Sequence, residues 1–210
     1  AGPMKDQKLT PRIAETARGL WVVYFTFSTA CFLAYAAAGM SWSDAFMHMC
    51  STMGLGGFAA YDASFGAFAS PLIEVVAVVF MLLAGVNFSL YFLVWKKRSL
   101  RPLWRDMEAR VYLPLMLGSV AAVALFLGVH GVYPTFAESL RHAAFNVVSI
   151  ATTTGFATVD YAQWPIFAPV FMLFLCSFAT CAGSTGGGIK LLRSLLLHKK
   201  KKYAALSITD

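Results

Sequence analysis

Two short stretches hold residue types able to strip water from a metal ion: Met53-Gly54-Leu55-Gly56-Gly57-Phe58 and Thr152-Thr153-Thr154-Gly155-Phe156. Glycine admits backbone conformations closed to other residues, so such turns can aim successive carbonyl oxygens at one axis. Threonine hydroxyls at the same depth add further oxygens. Oxygens arranged in this way can replace the hydration shell of potassium. For either turn alone, a close helix-packing site is the competing reading, because a missing Cβ lets two backbones approach. Duplication favours the ion. Gly57-Phe58-Ala59-Ala60-Tyr61-Asp62 matches Gly155-Phe156-Ala157-Thr158-Val159-Asp160, and Ser51 and Ser149 fall in register ahead of them.

A third glycine cluster is Ala182-Gly183-Ser184-Thr185-Gly186-Gly187-Gly188-Ile189-Lys190. Each glycine costs about 1 kcal/mol against alanine inside a helix, so a break or loop is expected there. It is no phosphate-binding loop: Ile189 separates Gly188 from Lys190, Leu191 follows, and no strand precedes it. Two readings stay open. A loop beneath a filter obstructs ions in one state and withdraws in another, with Lys190 and Arg193 repelling cations or anchoring at headgroups. Alternatively, the segment is a helix kink filled by a neighbour's side chain.

Other reactive residue types form no set. His48, His130, His142 and His198 lack ligand spacing, and Cys31, Cys50, Cys176 and Cys181 read as small hydrophobes. No Ser/His/Asp group or paired acid and base shares a scaffold, so the chain reads as no enzyme. The glycine loop leaves one enzymatic reading, a nucleotide-binding membrane protein, which nucleotide titration would test.

The elements that must position these turns are helical. Of 210 residues 59% are apolar and 13% charged, well outside the balance of a soluble domain. Apolar stretches at 20–40, 71–95 and 111–132 each suffice to span a hydrocarbon core, and a fourth runs from Pro165 into the glycine break. The stretch 71–95 carries only Glu74 and shows no polar face, which argues against a soluble bundle. Ser41 or Ser43 and Thr135 offer helix caps ahead of short helices at about 45–52 and 139–150. These are too short to cross a bilayer and must re-enter from one side or lie on its surface. A helix stopping at mid-depth points a partial negative charge and unpaired carbonyls inward, which suits a cation. Its irregular continuation cannot face lipid.

The formal charge of +7 is clustered. Lys5, Lys8, Arg12 and Arg18 precede the first span, cations from Lys96 to Arg110 fill the link after the second, and Lys190, Arg193 and Lys199 to Lys202 close the last. The positive-inside rule puts all three, and the amino end, in the cytoplasm. The other side holds Asp44, Asp62, Glu74, Glu138 and Asp160 against Arg141. This is either a cation-attracting mouth or a set of plain solvated charges. Trp21, Trp42, Trp95, Trp104 and Trp164 sit where interfacial belts belong, and Asn87 should bond a neighbouring helix or backbone. The basic tail suits acidic lipid, and nucleic acid is not expected.

Gly2-Pro3-Met4-Lys5-Asp6, Ser51 through Phe58, Ala151-Thr152-Thr153-Thr154-Gly155-Phe156 and the stretch 181–190 together resemble the TrkH/KtrB superfamily of bacterial potassium-uptake membrane subunits. The resemblance covers nearly the whole chain. It implies an all-α integral membrane fold with potassium-channel-like helix–pore helix–helix repeats, four in the parent polypeptide. This chain resembles the second (1–100) and third (101–210), with four spanning helices and two re-entrant pore helices. It implies that Leu55, Gly56, Gly57 and Phe58 with Thr152, Thr153, Thr154, Gly155 and Phe156 build the filter, with potassium at Leu55, Gly56, Thr153 and Thr154. Gly183, Ser184, Thr185, Gly186, Gly187, Gly188 and Lys190 would form an intramembrane gate loop. Expected partners are the remaining repeats, a second copy in a homodimer, membrane lipid and a TrkA-type cytosolic nucleotide-binding regulator. Potassium is cargo, no organic cofactor is implied, and the expected location is the bacterial inner membrane. Two repeats cannot enclose a four-sided filter, so the chain reads as part of a longer protein. Leu55 and Gly56 offer fewer hydroxyls than Thr153 and Thr154. A non-conducting scaffold with degenerate pore loops is the alternative function.

Overall fold

The computed structural model describes residues 9–197, so the motif at 2–6 and the basic tail at 199–202 lie outside the described residues. All regular structure in that range is helical. A long helix, α1 (Leu9–Ala37), leads into a short one, α2 (Trp42–Gly54), then a 3₁₀ turn (Ser64–Phe68) and α3 (Pro71–Ala84). Next come α4 (Phe88–Lys97), a one-turn α5 (Arg101–Arg105) and the long α6 (Met107–Val129). A second short helix, α7 (Phe136–Ala151), a 3₁₀ turn (Tyr161–Gln163) and α8 (Phe167–Cys176) follow. A helical segment at 191–197, α9, closes the described chain.

Local chemistry starts the short helices where the sequence predicts. The Ser41 hydroxyl accepts from the Asp44 N–H at 3.1 Å, and the Thr135 hydroxyl accepts from the Glu138 N–H at 3.2 Å. Each satisfies a donor that the first helical turn cannot pair internally. Asp44 and Glu138 also place negative charge in those first turns, where the helix dipole favours it.

Length and composition make Ala14–Ala37 and Met107–Val129 long and apolar enough to cross a membrane. The stretch 71–95, expected from its hydropathy to span as one segment, is not one continuous helix. It divides into α3 and α4, which meet at 86°. Gly85 ends α3, and Asn87 starts α4 by accepting from the Ser89 N–H at 2.9 Å. The Tyr112 hydroxyl fills the space a Cβ on Gly85 would need, so only glycine allows α6 this close to the bend. The fourth apolar stretch stops as helix at Cys176 and resumes at 191, with the glycine cluster between. Gly85 and Gly183 have the same separation in sequence as Gly57 and Gly155, so the two breaks occupy matching positions.

The core lies around the two short helices. Phe65 from the first 3₁₀ turn is fully buried against Phe156, at 4.5 Å between ring centroids, and against Phe145 at 5.2 Å. The Gly66 N–H donates to the Ala157 carbonyl at 3.3 Å, and the Ala157 N–H donates to the Ser64 hydroxyl at 3.3 Å. On the flank, Arg141 of α7 makes a two-pronged ion pair with buried Glu74 of α3, at 2.7 and 2.6 Å. The halves of the chain are thus joined by aromatic packing, backbone bonds and one charge pair.

Candidate functional site

α2 and α7 end in the same way. Leu55 and Thr153 adopt left-handed backbone with φ of 50° and 65°, and Gly57 and Gly155 do so at 71° and 92°. Gly56 and Thr154 between them keep negative φ. Alternation in the sign of φ lines up successive N–H groups on one side of a turn and the carbonyls on the other. The Gly56 N–H donates to the Ser51 carbonyl at 2.9 Å, and the Thr154 N–H to the Ser149 carbonyl at 2.8 Å. Leu55 and Thr153 likewise cap Thr52 and Ile150 at 3.2 and 2.9 Å. These are paired six-to-one and four-residue caps that close a helix through a left-handed residue. Capping therefore uses carbonyls that the sequence reading left exposed at the helix ends. Beyond them, the carbonyls of Leu55, Gly56, Thr153 and Thr154 accept no hydrogen bond among the described residues.

The two turns touch backbone to backbone. A Cβ on Gly57 would collide with the Thr154 carbonyl oxygen and lie 3.4 Å from the Gly155 Cα. At Gly155 a Cβ would meet nothing within 4 Å, so this glycine faces open space. The hydroxyls are arranged otherwise than expected, since each has a protein partner. Thr152 donates to the Val148 carbonyl at 2.8 Å and lies 2.7 Å from the Thr154 hydroxyl, both buried. Thr153 accepts from the Gly187 N–H at 2.7 Å. The phenylalanines also differ. Phe156 is fully buried, its carbonyl held by the Ser149 hydroxyl at 2.7 Å, whereas Phe58 is 82% exposed and the Ser51 hydroxyl is buried without a partner.

The glycine cluster lies against the second turn. Besides the Gly187 bond to Thr153, a Cβ on Gly186 would come within 3.0 Å of the Thr152 carbonyl. Thr180 donates to the Gly187 carbonyl at 2.8 Å, and Ile189 donates to Ser177 at 2.8 Å. Gly183 and Gly188 have φ of 76° and 81°, and backbone carbonyls of Cys176 and Ser177 crowd Gly188 within 2.9 Å of a Cβ. The Lys190 ammonium turns back onto the Gly186 carbonyl and the Ser184 hydroxyl. The loop also docks on the bend of the first half. Cys181 donates to Gly85 and Phe88 donates to Gly183, each at 3.1 Å, and the Thr185 hydroxyl reaches the Ala84 carbonyl at 3.4 Å. Asn87 therefore caps α4 and abuts Gly183, a more specific role than the bond to neighbouring backbone expected of it.

Sequence reasoning missed Glu108. Only 5% exposed, its carboxylate accepts from the Ala182 N–H at 3.0 Å and the Leu192 N–H at 2.8 Å. It sits in a link full of cations, where a carboxylate looks like a solvated charge. The available signal was its place two residues after Asp106, which caps α6 through the Ala109 N–H at 2.9 Å. Among the acidic residues expected at the outer mouth, Glu74 is buried and neutralised by Arg141, and Asp160 bonds the Ala162 N–H. Trp164 leaves the exposed belt of the other four tryptophans, being 5% exposed with its indole donating to Tyr133 at 3.1 Å. Burial holds the Tyr133 phenol above its ordinary pKa. His48 is a buried packing residue, bonded to the Asp44 carbonyl at 2.8 Å and edge-on to Phe65 and Phe68.

Known proteins resemble this chain in sequence and in overall fold. The Trk system potassium uptake protein TrkH of Halomonas elongata is 46% identical over 200 residues, covering 95% of this chain and 41% of that protein. The Escherichia coli K12 protein of the same description is 45% identical over 199 residues, again 41% of its length. The crystal structure of the potassium transporter TrkH from Vibrio parahaemolyticus matches with a TM-score of 0.90 and 39% identity, covering 95% of this chain and 43% of that one. The chain thus spans well under half the length of the relatives it matches. These relatives are described as potassium uptake proteins and a potassium transporter. The TrkH pattern, described as a cation transport protein, matches residues 1–208, and the chain belongs to that family.

Proposed function

We propose that this chain supplies two helix–pore helix–helix units, residues 1–100 and 101–210, of a potassium-uptake protein of the bacterial inner membrane. In this reading Leu55, Gly56, Gly57 and Phe58 form one side of a filter, and Thr152 to Phe156 form another. The observation that carries it is the set of unbonded carbonyls at Leu55, Gly56, Thr153 and Thr154, on two matched left-handed turns in backbone contact. A carbonyl left without a donor away from water costs free energy, and a dehydrated cation supplies the missing partner. Because the threonine hydroxyls have protein partners, backbone oxygens carry the coordination. The 13 residues of α2 extend about 20 Å, short of a hydrocarbon core of about 30 Å, which supports re-entry rather than crossing.

Residues 183–190 act as the gate loop in this reading, lying against the Thr152 and Thr153 turn and needing displacement for ions to pass. The amino end and the cationic links face the cytoplasm, and the remaining units of the same polypeptide complete the ring. A homodimer, lipid and a TrkA-type regulator are the expected partners, with potassium as cargo and no organic cofactor required. The test is potassium flux in an uptake-deficient bacterium carrying the full-length parent with Gly155→Leu. The Gly155 Cβ position is open, so the side chain should enter the pathway, and the φ of 92° adds backbone strain to the turn; uptake should fall more than about tenfold. Unchanged uptake, with protein present in the membrane, would remove the filter assignment and leave the scaffold reading.

A further inference from the structure

We infer that Glu108 is a positioning residue that holds the glycine loop in its place under the filter by anchoring both ends of that loop to one carboxylate. The loop begins after Cys181 and ends where α9 begins at 191. A single oxygen, Glu108 Oε1, accepts from the Ala182 N–H at 3.0 Å on one side and from the Leu192 N–H at 2.8 Å on the other. The nine residues between are thus closed into a flap with a common root. Leu192 lies in the first turn of α9, whose N–H groups have no partner within their own helix. Lys190, in left-handed conformation just before α9, turns its side chain to Gly186 and Ser184 and provides no cap. Glu108 caps α9 from another helix.

The carboxylate can remain buried because its surroundings favour negative charge. It occupies the first turn of α6 and faces the first turn of α9, so the positive ends of two helix dipoles meet on it. It forms no ion pair among the described residues. Charge-assisted hydrogen bonds to two backbone N–H groups are stronger than neutral ones and are lost together when the carboxylate is removed. The flap's other hydrogen bonds to its surroundings have no ionised partner: Gly187 to Thr153, Thr180 to Gly187, Phe88 to Gly183, Thr185 to Ala84, Ile189 to Ser177 and Leu191 to Thr180. Loss of the root should therefore loosen the flap at its two ends, Ala182 and Leu192, while the filter turns on α2 and α7 keep their own caps.

This inference rests on the gate-loop reading above, and two measurements on the full-length parent separate them. Hydrogen–deuterium exchange of the peptide covering 182–192 reads the anchoring directly. Glu108→Ala should speed exchange there by about tenfold or more, and Glu108→Gln, which keeps an acceptor oxygen, should restore much of the protection. Exchange in Glu108→Ala equal to that of the unaltered protein would overturn the inference. If Glu108→Ala fails to accumulate, Glu108→Asp serves instead, since a side chain one methylene shorter cannot reach both amides; protection equal to the parent's would likewise overturn it. Potassium flux without the regulator is the second readout. Faster loop exchange with higher basal flux and an unchanged potassium-to-sodium ratio supports both anchor and gate. Faster exchange with unaltered flux upholds the anchor and rejects the loop as a gate.

Discussion

Leu55 and Thr153 show what the two turns cost. Leucine and threonine rarely adopt left-handed backbone, and a β-branched residue there is a real outlier, so each stores about 1–3 kcal/mol that surrounding bonds must offset. Neighbouring glycines are not interchangeable. Gly57 combines positive φ with a Cβ direction blocked by the Thr154 carbonyl, and backbone yields poorly. Gly57→Ala should cost more than about 2 kcal/mol and shift the Thr154 oxygen, lowering thermal stability and the potassium-to-sodium flux ratio together. Gly54 is the control: it lies in α2 with nothing within 4 Å of a Cβ, so Gly54→Ala should leave both unchanged or add about 0.5–1 kcal/mol of stability. Equal effects at the two positions would contradict the geometry. Both turns were legible in the sequence as glycine-rich and duplicated. Which hydroxyls bond protein was not, because Thr153 finds its donor on Gly187, on a different segment.

Among the elements, the bend between α3 and α4 carries the most consequence. Its 86° turn places Ala84, Gly85 and Phe88 where the glycine loop and its flank pair with them, so a break in the first half supports a break in the second. Asn87→Ala removes the α4 cap, worth about 1 kcal/mol, and the side chain packed on Gly183. The expected outcome is faster amide exchange at Phe88, Ser89 and the 181–185 segment, with α2 and α7 protected as before; uniform protection would mean that the bend is held by packing alone. Hydropathy hid this bend, because residues 71–95 are apolar on both sides of it. The short helices were readable in type and place, since Ser41 and Thr135 are local signals that tertiary contacts reinforce.

Over the whole molecule, one charge pair ties the halves together outside the aromatic core. Glu74 is nearly buried and Arg141 keeps 35% of its side chain exposed, so removing one partner leaves an incompletely solvated charge. Arg141→Ala should destabilise by about 2–4 kcal/mol, below the full penalty for a wholly buried pair. The double variant Glu74→Ala with Arg141→Ala should cost less than the two single changes added, by about 1–3 kcal/mol in thermal or denaturant unfolding. Additive costs would mean that the pair is incidental. Large apolar side chains such as Trp21, Leu173 and Val129 are more than half exposed. Phe58 is exposed although its counterpart Phe156 is buried against Phe65.

Sequence alone determined the helical class, the duplicated turns, the caps of the short helices and the glycine break, because each is set by residues close together in the chain. Tertiary structure decided the rest. It joined Gly57 to Thr154 and Thr153 to Gly187, folded 71–95 into two helices, paired Glu74 with Arg141 and turned Glu108 inward. Each of those outcomes depends on a partner dozens of residues away, and composition carries no record of which distant backbone groups will be left needing one.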